Sequence, residues 1–267
     1  GTKYKTGDFK PYLYKTTDYG KSWSKITNGI HEEHFTRVLR EDPANKNILY
    51  AGTETGMYIS FNAGKSWNEF QLNLPIVPIT DLTIKNNSLV VATQGRSLWM
   101  IDDLTVLHQS YINSLNRKQL TYHDLQNVEL FTPKDSYRTS GSKTTRNNLT
   151  EGENIDNGVV TYFNIKNYND KDEVTLTYLN NSRDTIVSFG NNFSGKQKLK
   201  LQKGANKFSW NMYHDGATDF EGMILWWASL SGPKAVPGEY FVDLNVNGQV
   251  TSKTFNILID PRSESSI

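Results

Sequence analysis

Thr16-Thr17-Asp18-Tyr19-Gly20-Lys21-Ser22-Trp23 returns 44 positions later as Ser60-Phe61-Asn62-Ala63-Gly64-Lys65-Ser66-Trp67. The shared pattern is Ser/Thr-x-Asp/Asn-x-Gly-x-Ser-Trp. Strand-like runs flank each copy, Tyr12 to Lys15 and Met57 to Ser60 before it, Trp23 to Ile26 and Trp67 to Leu72 after it. An Asp or Asn side chain accepts hydrogen bonds from backbone N–H groups a few residues on, which closes an Asx-type turn. Gly at the fifth place permits positive φ in a tight connection. The closing Trp supplies a large apolar face with a single N–H donor. The pattern therefore predicts two equivalent turns. Asp18 and Asn62 bond backbone N–H groups of their own turns, and Trp23 and Trp67 are largely buried. Asp18 becomes Asn62 in the second copy, which keeps the acceptor and loses the charge. A shared catalytic or metal role is thereby disfavoured. Thr16, Asp18, Gly20, Ser22 and Trp23, with Ser60, Asn62, Gly64, Ser66 and Trp67, are read as structural.

The repeat extends beyond the turn. Leu49-Tyr50-Ala51-Gly52-Thr53 is echoed by Leu89-Val90-Val91-Ala92-Thr93, Gly56 by Gly95, and Met57 to Ser60 by Leu98 to Ile101. A period of about 40–45 residues with about four strands per unit is that of a β-propeller blade. The count is about two and a half blades: a partial one at 9–30, a full one at 31–75, and one without the turn motif at 76–138. Residues 36–74 are expected to form a four-stranded antiparallel blade, with 78–102 packed beside it. In the last copy Leu104, Leu107, Tyr111 and Leu115 fall at helical spacing, and Val128 to Phe131 is the expected outer strand. So few blades cannot close a ring that needs at least about four. The remaining blades are expected from the N-terminal part of the same polypeptide or from a cleaved fragment of it.

Composition sets outer bounds. The 267 residues carry 29 Lys+Arg against 28 Asp+Glu, a net charge of +1. No bulk pull toward nucleic acid or an acidic membrane follows. Aromatics reach 12% at a mean hydropathy of −0.60, which suits many short strands with polar outer faces. With 0 Cys, disulfides and thiolate metal sites are excluded. No apolar run approaches the ~20 residues of a membrane helix. The first residue is Gly1 and no leader precedes it, so the chain is read as a piece of a longer or processed protein.

Residues 139–157 are polar and read as a linker. Beyond them the pattern is β throughout: Val159 to Ile165, Val174 to Leu179, Thr185 to Phe189, Lys198 to Leu201, Lys207 to Met212 and Glu239 to Asn245. Asn247-Gly248 is a type I′ hairpin signal. About seven short strands over 158–262 indicate an immunoglobulin-like β-sandwich. Phe220 to Pro237 interrupts it as a long loop carrying Trp226-Trp227, and 263–267 form a tail.

Taken together, several landmarks carry a resemblance. They are Tyr12 to Thr16 with its turn, Arg40-Glu41-Asp42-Pro43, Leu49 to Gly56 and the second turn, Asn73-Leu74-Pro75 and Gly95 to Asp103. Gly232-Pro233, Pro237-Gly238-Glu239-Tyr240 and Asp260-Pro261-Arg262 complete the set. The turn resembles the Asp-box. The whole chain resembles the C-terminal part of large exported bacterial proteins of the sortilin-like, neuraminidase-repeat class, which often carry the description glycosyl hydrolase. The second half is similar to flagellar-hook-cap-type Ig domains. The resemblance implies an all-β protein, a partial Asp-box propeller followed by an Ig-like sandwich. It also implies a Gram-negative protein that is periplasmic, surface-attached or secreted. It implies no catalytic residues in this portion.

Direct inspection for chemistry agrees with that. A glycosidase needs two carboxyl groups about 5–10 Å apart. The candidates at strand ends are Glu54, Asp81, Asp102 and Asp103; a solvated loop role for Glu54 and helix capping by Asp102-Asp103 are the competing readings. Arg96 either binds an anion or pairs with a neighbouring carboxylate. His31 and His34 form a close pair without an obvious third ligand, so no metal is expected. No phosphate loop or Gly-x-Ser-x-Gly elbow is present, and no cofactor is expected. Trp226 and Trp227 either stack on sugar rings or plug the domain junction, the second being favoured. Asp184-Thr185-Ile186 resembles the Asp-Ser/Thr-apolar acceptor of O-glycosylation in some Gram-negative bacteria, against an ordinary strand start. The function expected is non-catalytic binding or scaffolding, with another cell-surface protein or a glycan as partner. The alternative is an accessory part of a glycoside hydrolase whose carboxylates lie in other blades.

Overall fold

A computed structural model describes residues 3–115, 128–139, 156–218, 220–227 and 229–263. The chain divides into two compact units, Gly1–Asn113 and Ser114–Ile267. Among the described residues both are built from β-sheets, with one α-helix and two short 3-10 turns.

The first unit contains β1 (Tyr14–Lys15), β2 (Ser24–Lys25), β3 (Thr36–Glu41), β4 (Leu49–Thr53), β5 (Met57–Ser60) and β6 (Asn68–Glu69). They are followed by β7 (Ile79–Lys85), β8 (Ser88–Thr93), β9 (Leu98–Ile101) and α1 (Thr105–Leu115). Three antiparallel sheets result: β1-β2, β3-β4-β5-β6 and β7-β8-β9. The second sheet is the four-stranded meander expected for 36–74.

Its two faces feed two cores, as strand alternation requires. Tyr50, Met57 and Ile59 point to one side and share a cluster with Ile79, Leu82, Leu89, Val91, Leu104 and Tyr111. Leu49, Ala51 and Tyr58 point to the other and join Leu13, Ile30 and Trp67. The helical spacing of Leu104, Leu107 and Tyr111 thus lays α1 on the first of these cores. Asp103 Oδ1 accepts the Thr105 N–H at the helix start, at 2.9 Å.

Gly52 sits where β3 and β7 close over β4. A Cβ there would lie 2.6 Å from Ile79 Cγ2 and 2.7 Å from Val38 Cγ1. Overpacking of this kind costs about 1–3 kcal/mol, and Gly52→Ala is expected to destabilise the first unit by that amount in a urea melt. A neutral result would mean that β3 and β7 can part freely.

The second unit contains β10 (Val128–Leu130), β11 (Ser136–Tyr137), β12 (Val159–Ile165), β13 (Val174–Leu179), β14 (Thr185–Gly190), β15 (Gly204–Trp210), β16 (Gly238–Val246) and β17 (Gln249–Leu258). One sheet runs β10-β12-β15 and the other β11-β17-β16-β13-β14. Both line a single core holding Leu130, Phe163, Leu176, Tyr178, Trp210, Val242 and Phe255. Trp210 stacks on Tyr178 with ring centroids 4.5 Å apart. Asn247 and Gly248 both take positive φ, 52° and 86°, and close the β16–β17 hairpin with Val246 opposite Gln249.

Three expectations need correction. Val128 to Phe131 is not an outer strand of the first unit; Val128, Glu129 and Leu130 pair with Ile165, Asn164 and Phe163 of β12. Ser136 and Tyr137 likewise pair in parallel with Ile257 and Leu258 of β17. Residues 128–137 therefore belong to the second unit, not to a domain ending at 138. A three-residue strand carries no register signal of its own, so chain proximity misassigns it. Lys198 to Leu201 is not a strand: Lys198 makes one isolated bridge to Gly190, while Leu199 is buried in the core. Residues 140–155 of the expected linker and 264–267 of the tail lie outside the described residues.

Candidate functional site

The two repeated turns share one hydrogen-bonded ring. In the first, the Ser22 N–H donates to Asp18 Oδ1 at 2.9 Å and the Gly20 N–H to Thr16 Oγ1 at 2.8 Å. In the second, the Ser66 N–H donates to Asn62 Oδ1 at 2.8 Å and the Gly64 N–H to Ser60 Oγ at 2.9 Å. The copies differ where their charge differs. Ser22 Oγ donates to the Asp18 carboxylate, whereas the Asn62 amide donates to Ser66 Oγ. The Ser22 hydroxyl and N–H and the Thr16 hydroxyl lower the Asp18 carboxyl to about 2. Positive φ occurs at two places per turn, at Tyr19 and Gly20, and at Ala63 and Gly64.

The two Trp side chains part company. Trp67 is 3% exposed. Its Nε1–H donates to the Ile26 carbonyl at 2.8 Å, and its own N–H to the Asn28 carbonyl at 2.9 Å. Trp23 is 61% exposed, and its Nε1–H reaches only Gly20 of its own turn. The expectation of a buried Trp23 is therefore overturned. The Trp67 ring shares a cluster with Leu49 and Ala51 of its own sheet and with Leu13, Ile26 and Ile30 of the preceding copy. Among the described residues Trp23 has no equivalent of either. It lines an open cleft of about 570 Å³ with Tyr12, Leu13, Tyr14 and residues 36–39.

Three of the four carboxylates singled out for chemistry are engaged; Asp102 is exposed, and its backbone carbonyl, not its carboxylate, accepts from Ser88 Oγ. Glu54 pairs with Arg37 and Asp81 with Arg40. Asp103 accepts from Asn87 Nδ2 and from the Thr105 N–H, both at 2.9 Å. Arg96, exposed on the β8–β9 turn, donates to the Gly95 carbonyl at 2.8 Å. Among the described residues no three His, Cys, Asp or Glu side chains converge as metal ligands.

Trp226 and Trp227 are 87% and 97% exposed. They lie between Ala217 and Leu230, outside three backbone ties: His214 N–H to Pro233 O, Ala217 N–H to Leu230 O and Ala235 N–H to Met212 O. Thr185 is exposed at the start of the edge strand β14.

Sequence reasoning missed Asp42. It is fully buried and accepts four hydrogen bonds: Tyr50 OH at 3.0 Å, His108 Nε2 at 2.9 Å, and the N–H groups of Ala44 and Asn45 at 2.8 and 3.2 Å. Burial and the adjacent carboxylate push the Tyr50 phenol far above its ordinary value. Two signals were present. Asp42-Pro43 begins an Asx turn, and His108 lies four residues from Leu104 and three from Tyr111, on the apolar stripe of α1. The arrangement couples helix to sheet, with Asp42 fully buried.

His31 and His34 stack with centroids 4.6 Å apart, and His34 Nδ1 meets Tyr58 OH at 2.8 Å. Burial first, then His31, lowers the His34 pKa below 6.5, against small raising effects of Glu69 and Glu33. The unfolded chain then binds the proton more readily. Stability is fully present above about pH 6.5 and falls as pH drops through that value toward the folded pKa. The urea midpoint of the first unit is expected to fall between about pH 6.5 and 5, and His34→Gln to flatten the change. An unaltered slope in the variant would assign the loss to other groups.

Among the described residues no helix is long and apolar enough to cross a membrane. No protein-family model matches the chain, and no curated protein matches it. Among solved structures it is similar to the extracellular domain of a one-component system, BT4673, from B. thetaiotaomicron, at 12% identity and a TM-score of 0.27. It is similar also to the extracellular domain of the hybrid two-component system BT4673 of the same organism, at 11% identity and a TM-score of 0.28. The matches cover 93% and 94% of this chain, which spans only 28% and 29% of those chains.

Proposed function

We propose that this chain is a non-catalytic binding or scaffolding portion of an exported or cell-surface Gram-negative protein of the sortilin-like, Asp-box class. In this reading the first unit contributes final blades of a β-propeller and the second is an immunoglobulin-like sandwich. The observation that carries it is the state of three of the four strand-end carboxylates, the exposed Asp102 being left without a free carboxyl partner among the four. Glu54 and Asp81 are each paired with an Arg, and Asp103 is held at a helix start. A glycosidase instead needs one carboxyl free to carry a proton and another facing it across a cleft. The shared hydrogen bonds of the repeated turns are internal to each turn, as a folding device requires. The purified chain is expected to release no reducing sugar from a panel of bacterial and host polysaccharides. Hydrolysis that Glu54→Gln or Asp81→Asn abolished would overturn the reading.

Export in such a cell also offers Asp184-Thr185-Ile186 as an acceptor for O-glycosylation, a reading that the exposure of Thr185 supports. Native material is expected to carry a glycan mass that Thr185→Ala removes. An intact mass equal to that of the bare polypeptide would discard the site.

A further inference from the structure

β1 and β2 repeat β5 and β6 one period earlier. Tyr14↔Lys25 and Lys15↔Ser24 correspond to Tyr58↔Glu69 and Ile59↔Asn68, each displaced by 44. The bond from Ile26 N–H to Leu13 O recurs from Phe70 N–H to Met57 O, both at 2.9 Å. On its other edge β5 carries β4, through Leu49↔Ser60, Tyr50↔Ile59, Ala51↔Tyr58 and Gly52↔Met57. Among the described residues β1 has no strand on that edge. The positions 44 before β4 are Lys5 to Phe9. They overlap the 3-10 turn Tyr4–Thr6 and Gly7 at φ 78°, so they do not supply it.

That edge is open at Tyr14, while two residues earlier the Tyr12 N–H and C=O both meet Thr36 Oγ1 at 3.3 Å. The Leu13 carbonyl faces β2, so the alternation of an antiparallel ladder turns the Tyr14 N–H and C=O toward the unoccupied side. Beside it lies the cleft of Tyr12, Leu13, Tyr14 and Trp23, whose far wall is Thr36 to Leu39 of β3. An exposed strand edge next to aromatic side chains is a template for strand addition.

We propose that this edge and cleft dock a two-stranded β segment from another copy of the same repeat, equivalent to β3–β4. The proposal rests on the blade reading above. Residues equivalent to Leu49, Tyr50, Ala51 and Gly52 lie opposite Thr16, Lys15, Tyr14 and Leu13. Trp23 then gains the strand partners that Leu49 and Ala51 give Trp67. The vacancy of β1 and the exposure of Trp23 have one cause.

The test titrates a synthetic peptide of residues 36–56 into the 267-residue chain and follows tryptophan emission, with Trp23→Phe to isolate the Trp23 signal. A saturable blue shift is expected that Trp23→Phe removes and a scrambled peptide does not produce. Tyr14→Pro takes away the donor facing the open side while leaving the β2 pairing in place, and is expected to weaken the response at least about tenfold, the loss of one backbone hydrogen bond and its neighbours. A shift that survives Tyr14→Pro, or none at all, would overturn the docking site and leave the blade reading standing. Equal binding of an unrelated strand-forming peptide would instead defeat the blade reading. A dimer in sedimentation that Tyr14→Pro dissolves would mean that the edge takes a second copy of this chain, which overturns the proposed occupant.

Discussion

Trp67→Ala is expected to destabilise the first unit by about 3–5 kcal/mol, the cost of truncating a fully packed large aromatic, while Trp23→Ala costs less than about 1 kcal/mol. The two residues end identical motifs, so motif membership predicts equal effects. Packing predicts the inequality. Trp67 loses contact with Leu13, Ile30, Leu49, Ala51 and Tyr58 and leaves the Ile26 carbonyl without its donor. Trp23 loses one bond within its own turn. Urea unfolding of the two variants, followed by far-UV circular dichroism, decides between the two accounts. Similar midpoints for both variants would mean that the ring's contribution lies in closing the turn and not in the core beneath it.

What the sequence made legible follows from the range over which each signal acts. The Asp18 and Asn62 acceptors are local; their partners lie within four residues, and the Ser/Thr-x-Asp/Asn-x-Gly-x-Ser pattern contains all of them. The meander of β3 to β6 and the Asn247-Gly248 hairpin are nearly as local, because alternation and turn residues set their registers. The fate of the two Trp side chains is not local. Their residue type is the same, and only the presence or absence of packing partners separates 3% from 61% exposure. Val128 to Leu130 shows the same limit, since its partner Phe163 lies across a long intervening segment. At the candidate site, Glu54 and Arg96 could be placed on turns from Gly spacing. Their partners, Arg37 and the Gly95 carbonyl, could not.

Asp42 is the residue whose removal is expected to rival that of Trp67. Its carboxylate is wholly enclosed, and four donors converge on it from three segments of the chain. His108 Nε2 and Tyr50 OH meet the same oxygen, Oδ2, and the turn amides of Ala44 and Asn45 donate to the other. An alanine leaves a buried phenol, an imidazole N–H and the Ala44 N–H without an acceptor, while the Asn45 N–H keeps the Asp42 backbone carbonyl at 3.2 Å. A buried donor left without an acceptor costs about 1–3 kcal/mol, and Asp42→Ala, which strands more than one, is expected to cost at least about 3 kcal/mol. Tyr50→Phe removes one donor and leaves the others in place, so about 1 kcal/mol is expected. His108→Leu replaces the donor from α1 with an apolar group and separates helix docking from the turn. A double-mutant cycle between Asp42 and His108 measures that part alone. Coupling near zero would mean that α1 is held by Leu104 and Tyr111 alone, and that Asp42 serves only its own turn and Tyr50.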